Sequence, residues 1–301
     1  MRFSFWPIAR QSFDDVLTLA RHVERTGWDG IWYADHFMPN EPDPYAEPCH
    51  EVWSTLSALA ALVPRLRIGP LVLGNTYRHP AVVANMAATL DHISGGRVVL
   101  GLGGGWQANE HEAYGLAFHS VGTRLRMLDE ACQVIKALFN ERSANFQGRY
   151  YQLRDAPMQP KPLQDPLPLM IGGGGEKVTL RIAAQYADEW NVWGDVARLR
   201  QKMGVLDAHC ERVGREPASV QRSAAVLIYL SDDAKLVRRI NEQPQARPSI
   251  AGNAEQLCEI VAQYAAAGVN ELIVPDFHLP YGTAKSEFLD RFIEDIAPAA
   301  R

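Results

Sequence analysis

The feature that most constrains this chain is a repeated unit: a short apolar segment, a glycine-rich or polar turn, then a longer segment with helical periodicity. Phe3–Trp6 leads to the helix pattern Phe13–Thr26, closed by Gly27, where a helix end favours a left-handed residue. Gly30–Ala34 precedes a Pro-rich polar loop and a helix over Val52–Val63. Leu66–Gly74 is apolar at nearly every position, as in a strand covered on both faces, and is followed by Ala81–Ile93. Arg97–Gly103 pairs with Val121–Phe139, Leu169–Gly172 with Lys177–Tyr186, and Glu189–Trp193 with Val196–Val213. Ser223–Leu230 precedes helical segments reaching Tyr264, and Glu271–Val274 precedes Lys285–Ile296. About eight such alternations imply a parallel sheet, and eight in one chain favour closure into a (β/α)8 TIM barrel over an open sheet. Asn140–Pro168, rich in Pro, Gln and Tyr, breaks the rhythm and is expected to be an insertion, a hairpin with a loop, over one end of the barrel.

Composition narrows the function. A chain of 301 residues, 47% hydrophobic, can bury a large core as one domain spanning residues 1–301. Its formal net charge of -5 and lack of a basic stripe argue against nucleic acid as a partner. The cysteines Cys49, Cys132, Cys210 and Cys258 form no CxxC pair and no zinc spacing, and the histidines show no H-x-x-x-H spacing, so no metal is expected. Neither a signal peptide nor an apolar run of membrane-spanning length is evident, which gives a cytoplasmic expectation with no membrane partner.

In a barrel the reactive groups gather at the carboxyl ends of the strands. Those ends carry Ala34-Asp35-His36, Gly74-Asn75-Thr76, Gly103-Gly104-Gly105-Trp106, Gly172–Gly175, Trp193-Gly194 and Pro275-Asp276. The turn Gly101–Trp106 lacks the third glycine and the following acidic residue of a dinucleotide fingerprint; it is either a structural turn or bare backbone on which a flat ring can lie. Gly172, Gly173, Gly174 and Gly175 open a helix without G-K-[ST], which excludes a nucleotide-hydrolysing P-loop and leaves either an anion site or a plain helix entry. His36 can move a proton as a hydride moves, with Asp35 as a carboxylate able to fix its tautomer; a core histidine is an equal reading of these residues alone. Glu110-His111-Glu112 is expected to be a solvated turn. Trp32, Trp53, Trp106, Trp190 and Trp193 could line an aromatic pocket or serve the core.

The string Gly27-Trp28-Asp29-Gly30-Ile31-Trp32-Tyr33-Ala34-Asp35-His36-Phe37 resembles the second-strand region of luciferase-like monooxygenases and their deazaflavin-dependent relatives. Arg67–Gly74, Thr76-Tyr77-Arg78-His79-Pro80, Asp91-His92-Ile93-Ser94-Gly95-Gly96-Arg97 and Gly103–Trp106 are similar to that family's signature, and Pro168–Trp190 resembles its cofactor-phosphate region. The branch using coenzyme F420 is nearest. The resemblance implies a ring seated against a bulge at the end of the third strand, with a non-prolyl cis peptide at Leu71-Val72. It implies that Asn75, Gly103, Gly104 and Asn109 contact the ring or ribityl chain, that Gly172–Gly175 hold the phosphate, and that His36 is the acid–base or substrate-orienting residue. The family's sugar-phosphate dehydrogenases carry a tryptophan four residues after the histidine and a glutamate on the glycine turn. Asn40 and Trp106 stand there instead, so an uncharged small-molecule substrate in a pocket that includes Trp193 is expected. The activity implied is hydride transfer with F420; an FMN-dependent monooxygenase on the same barrel is the alternative, and a homodimer built through the helix starting near Pro80 and the one after it is expected of either.

Overall fold

The computed structural model describes residues 1–40, 43, 45 and 47–301. Thirteen strands are present among them: β1 Arg2–Trp6, β2 Gly30–Tyr33, β3 Arg67–Pro70, β4 Leu73–Gly74, β5 Leu100–Gly103, β6 Ala144–Gln147, β7 Gln152–Ala156, β8 Leu169–Gly172, β9 Glu189–Trp193, β10 Gln221–Ala225, β11 Leu227–Leu230, β12 Ser249–Gly252 and β13 Glu271–Pro275. The main sheet runs β3-β2-β1-β13-β10-β9-β8-β5-β4, every pair parallel. A further parallel bridge, Ile68 to Val98, joins β3 to the residues leading into β5 and closes the barrel. The (β/α)8 expectation therefore holds, with β3 and β4 as two pieces of one barrel strand.

Local chemistry sets the helices. In α1 (Phe13–Thr26) the Ser12 hydroxyl accepts from the Asp15 N–H, satisfying a donor that the first turn leaves open. Val16, Leu19, Ala20 and Val23, spaced three and four apart, are buried against the barrel. Gly27 ends the helix at φ 89°, its N–H bonded to the Val23 carbonyl. The same grammar shapes the helix Pro80–Ser94, with Pro80 at its first position and Gly95 at φ 70° past its end.

Two apolar regions result. The larger lies between strands and helices. The smaller fills the barrel with Trp6, Trp32, Leu71, Val99, Met170, Ala225 and Ile273. At the amino ends of the strands a polar lattice seals the base: Trp32 Nε1 donates to Glu271 Oε1 at 2.8 Å, and Arg67 bonds Glu271 Oε2 at 2.6 Å and also Glu189.

Three departures from the expected elements bear on the site. The run Leu66–Gly74 is not one strand: β3 pairs with β2, β4 pairs with β5, and Leu71–Val72 between them is a cis peptide at the expected place. The run Ser223–Leu230 also divides, because β11 leaves the barrel to pair in parallel with β12 in a separate sheet, with the helix Ala234–Glu242 between them. The insertion contains the antiparallel hairpin β6–β7, as expected. Its turn is pinned to the long helix Val121–Asn140, since the Glu130 carboxylate accepts from the N–H groups of Arg149, Tyr150 and Tyr151 at 2.8, 2.8 and 3.1 Å.

Candidate active site

The carboxyl end of β2 delivers Asp35 and His36 to the barrel mouth, and their roles separate there. Asp35 is buried; its carboxylate takes two guanidinium nitrogens of Arg78 and the Gly74 N–H at 2.9 Å. Arg78 in turn bonds Glu51 at 2.8 Å. Asp35 thus ties β2 to the backbone of β4, and the expectation that it fixes the His36 tautomer is corrected. Glu110 has that place: its Oε1 lies 3.0 Å from His36 Nδ1, and its Oε2 accepts from the Phe37 N–H at 3.0 Å.

Glu110 sits on a short helix, Ala108–Ala113, directly after the Gly103–Trp106 turn. The expectation of a solvated Glu110-His111-Glu112 turn fails for its first two members, which are fully buried, and holds for the exposed Glu112. Tyr77 also donates to Glu110 Oε1. Burial pushes the Glu110 carboxyl up, but the bonds from His36, Tyr77 and Phe37 outweigh it and hold the group below the ordinary glutamate range. Burial beside this carboxylate drives the Tyr77 hydroxyl up, so Tyr77 stays a donor. His111 lies between the Gln107 carbonyl and the Thr76 hydroxyl, each 2.7 Å from a ring nitrogen.

With a carboxylate able only to accept, His36 Nδ1 carries the hydrogen of that bond. Nε2 has no partner among the described residues, and the side chain is 25% exposed. Trp106, more than half exposed, stands edge-on to the imidazole with centroids 5.5 Å apart. Cys49 Sγ approaches the His36 carbonyl at 3.3 Å, and burial pushes its thiol up to about 11, so it remains protonated at neutral pH.

The bulge between β3 and β4 has a floor made for it. A Cβ at Gly103 or at Gly172 would stand 2.7 Å from a Val72 methyl, so both glycines are bare in order to receive the Val72 side chain. The face of Gly103 on which a Cβ would stand is filled from within the protein by Val72. Leu71 packs with the barrel interior. Asn75 is buried, its N–H on the Gly103 carbonyl at 3.0 Å and its amide donating to Tyr151 Oη at 3.2 Å, so the inserted hairpin reaches the site. Gly104 accepts a bond from Arg124 Nε at 3.2 Å, and the Asn109 side chain bonds the Glu110 N–H at 3.0 Å.

Gly172 ends β8, and the helix after it starts at Thr179, two residues later than expected. The Gly173 N–H is spent on the Asn191 carbonyl at 2.9 Å. Those of Gly174, Gly175 and Glu176 have no partner among the described residues. Lys202 adds a cation beside them, its Nζ 2.7 Å from Glu176 Oε1. Trp193 meets Trp6 at 5.4 Å and Phe277 at 6.2 Å, and Arg247 stacks over Trp193 at 4.9 Å and Phe277 at 5.4 Å. Asn40 is exposed on the loop after β2 and makes no hydrogen bond among the described residues. His36, Glu110, Trp106, the bulge and Asn75 therefore converge on one end of the barrel. No helix among the described residues is long and apolar enough to cross a membrane.

A closed parallel barrel with its ionisable groups on strand ends and the loops that follow them is the architecture of many enzymes. The model of the luciferase-like monooxygenase family matches residues 1–266, and the chain belongs to that family. It is 30% identical to an F420-dependent glucose-6-phosphate dehydrogenase of Kineococcus radiotolerans, over 94% of this chain and 91% of that one. The same-named protein of Amycolatopsis mediterranei is 29% identical, over 95% and 94%. Among solved structures, an F420-dependent secondary alcohol dehydrogenase in complex with an F420-acetone adduct superposes with a TM-score of 0.85 at 21% identity, covering 100% of this chain and 99% of that one. The F420-dependent tetrahydromethanopterin reductase of Methanopyrus kandleri gives 0.82 at 18%, with the same coverage. A Streptomyces bottropensis monooxygenase gives 0.79 at 15%, covering 99% of each chain.

Proposed function

We propose that this protein is an F420-dependent oxidoreductase that interconverts a small, uncharged alcohol and its carbonyl product. The observation that carries the reading is the His36–Glu110 pair: a tautomer held by a buried carboxylate, with the second ring nitrogen left to the barrel mouth. The residues fit the coenzyme's two ends. The bulge Leu71–Val72 and Asn75 would support its ring, and the partnerless N–H groups of Gly174–Glu176 with Lys202 would hold its phosphate. F420, when bound, supplies a two-electron hydride acceptor or donor.

In the oxidation direction His36 Nε2 takes the hydroxyl proton as the carbinol C–H departs as hydride; in the reverse direction it returns a proton to the forming alkoxide. Glu110 stabilises the imidazolium that results. Trp6, Trp193 and Phe277 offer an apolar wall for the rest of the substrate. Arg247 over that wall favours a second reading, a substrate with an anionic end such as the sugar phosphate in the name of the 30%-identical relative.

Anaerobic titration with F420 and with FMN, followed by turnover of neutral secondary alcohols against sugar phosphates, separates these possibilities. Binding of F420 and bleaching by a neutral alcohol, abolished in His36→Asn, is the expected result. Binding of FMN alone overturns the cofactor, and turnover only of the phosphorylated sugar overturns the substrate class.

A further inference from the structure

Glu110 Oε1 serves two donors at once, His36 Nδ1 at 3.0 Å and the Tyr77 hydroxyl. The phenol is held there from three sides. Its ring lies directly over Gly74, where a Cβ would come within 2.6 Å of it; it stacks on His111 at 4.7 Å; and it meets Phe37 edge-on at 4.9 Å. A tyrosine so confined has no need of its hydroxyl for packing.

A carboxylate oxygen that already accepts an O–H has less negative charge to offer a second donor. Resting on the reading that His36 handles the substrate proton, we propose that Tyr77 is a positioning residue: by sharing Glu110 Oε1 it weakens the hold of that carboxylate on the imidazolium and so sets the pH window of hydride transfer.

Among the described residues, other charged or titratable groups surround this pair, and the Tyr114 hydroxyl is turned to the Phe37 carbonyl. Asp35, next in sequence to His36, shares the Arg78 guanidinium with Glu51, and this cluster is the same in each variant of Tyr77. The Cys49 thiol is uncharged, and His111 is engaged at both ring nitrogens. Among the described residues Tyr77 is the neutral side-chain donor on Glu110, so its removal changes the charge that His36 meets without removing a charge.

The direction follows. In Tyr77→Phe the oxygen serves His36 and leaves Tyr77's share to it, the imidazolium is favoured, and the limb of the pH–rate profile that reports His36 moves up by roughly half to one pH unit. Oxidation, which needs the neutral imidazole, then falls off at a higher pH on its acidic side. Incorporation of 3-fluorotyrosine, a stronger donor of the same shape, moves the limb down.

The test follows His36 by nitrogen NMR titration of the full chain in both variants without coenzyme, assigned with His36→Asn, beside pH profiles of turnover with F420. Opposite shifts in the two variants, seen in both measurements, are expected. An NMR midpoint that stays put, or moves the same way in both, overturns the role of Tyr77. Midpoints that move as stated under a fixed pH–rate limb refute the proton role of His36 instead.

Discussion

Replacing Gly103 by alanine puts a methyl 2.7 Å from Val72 Cγ2, where ordinary contacts begin near 3.4 Å. The obstacle is the end of a side chain, so Val72 has to move by most of an ångström or turn its rotamer, and the bulge moves with it. Overpacking of this kind costs about 1–3 kcal/mol. Val72→Ala alone removes two methyls and costs about 1 kcal/mol. Because the added and the deleted methyls compete for one volume, the double variant should cost no more than Val72→Ala, giving a coupling of about 1–3 kcal/mol between the sites. Gly101→Ala is the control: its Cβ would stand 2.2 Å from the Pro70 carbonyl oxygen, which is backbone, so Val72→Ala should not rescue it. Equilibrium unfolding in urea gives the energies, and anaerobic F420 titration shows whether affinity returns with stability. Additivity of Gly103→Ala and Val72→Ala within about 0.5 kcal/mol would refute the account of these glycines as a seat for the bulge.

Glu110→Gln keeps the shape of the side chain but removes its charge, and turnover should fall by about 10²–10⁴-fold. The same change tests stability against pH. Since the folded Glu110 carboxyl lies below the ordinary range, its contribution is complete above the unfolded value of about 4.3 and is lost as pH falls through the folded value, so melting curves of the parent should drop more steeply than those of Glu110→Gln on acidification below about pH 4.5. Arg78→Met leaves buried Asp35 with one backbone donor and should cost about 3–5 kcal/mol in chemical denaturation, a loss far smaller in Glu51→Gln, whose half-exposed partner bond is peripheral. Lys202→Ala should weaken F420 several-fold at low salt while leaving a deazaflavin nucleoside without the phosphate tail unaffected, as read by competitive titration.

The barrel is legible in the chain because each unit advertises itself locally: Ser12 and Gly27 bracket α1, and Pro80 and Gly95 bracket the helix between β4 and β5. The break in the third strand is visible only through the family resemblance, since Leu66–Gly74 is as apolar as an unbroken strand. The exit of β11 at Val226 is invisible for the same reason: Ser223–Leu230 keeps its apolar pattern while changing sheets. At the site His36, Trp106, Asn75 and the glycine turns are recoverable from the strand-end rule. Glu110 is not, because a glutamate between Asn109 and His111 carries the composition of a surface turn, and its burial depends on donors from the loops after β2 and β4, distant in sequence. Asp35 misleads in the opposite sense; adjacency to His36 suggests a pair, yet just past the end of β2 the two side chains take different partners, Arg78 and the Gly74 N–H for one and Glu110 for the other. Tyr77 and Arg78 fall within a recognisable string but acquire roles only when the two carboxylates they touch are placed.

The departure of β11 has a consequence for how such a protein can diversify. The chain leaves the barrel after β10 and returns through β12 lying beside β11, so the excursion from residue 231 to 248 is clasped at its neck by a small sheet. Its last residues carry Arg247 over the rings of Trp193 and Phe277. Lengthening, shortening or recharging that segment would redraw the surroundings of those rings while every strand that supports the His36–Glu110 pair keeps its register.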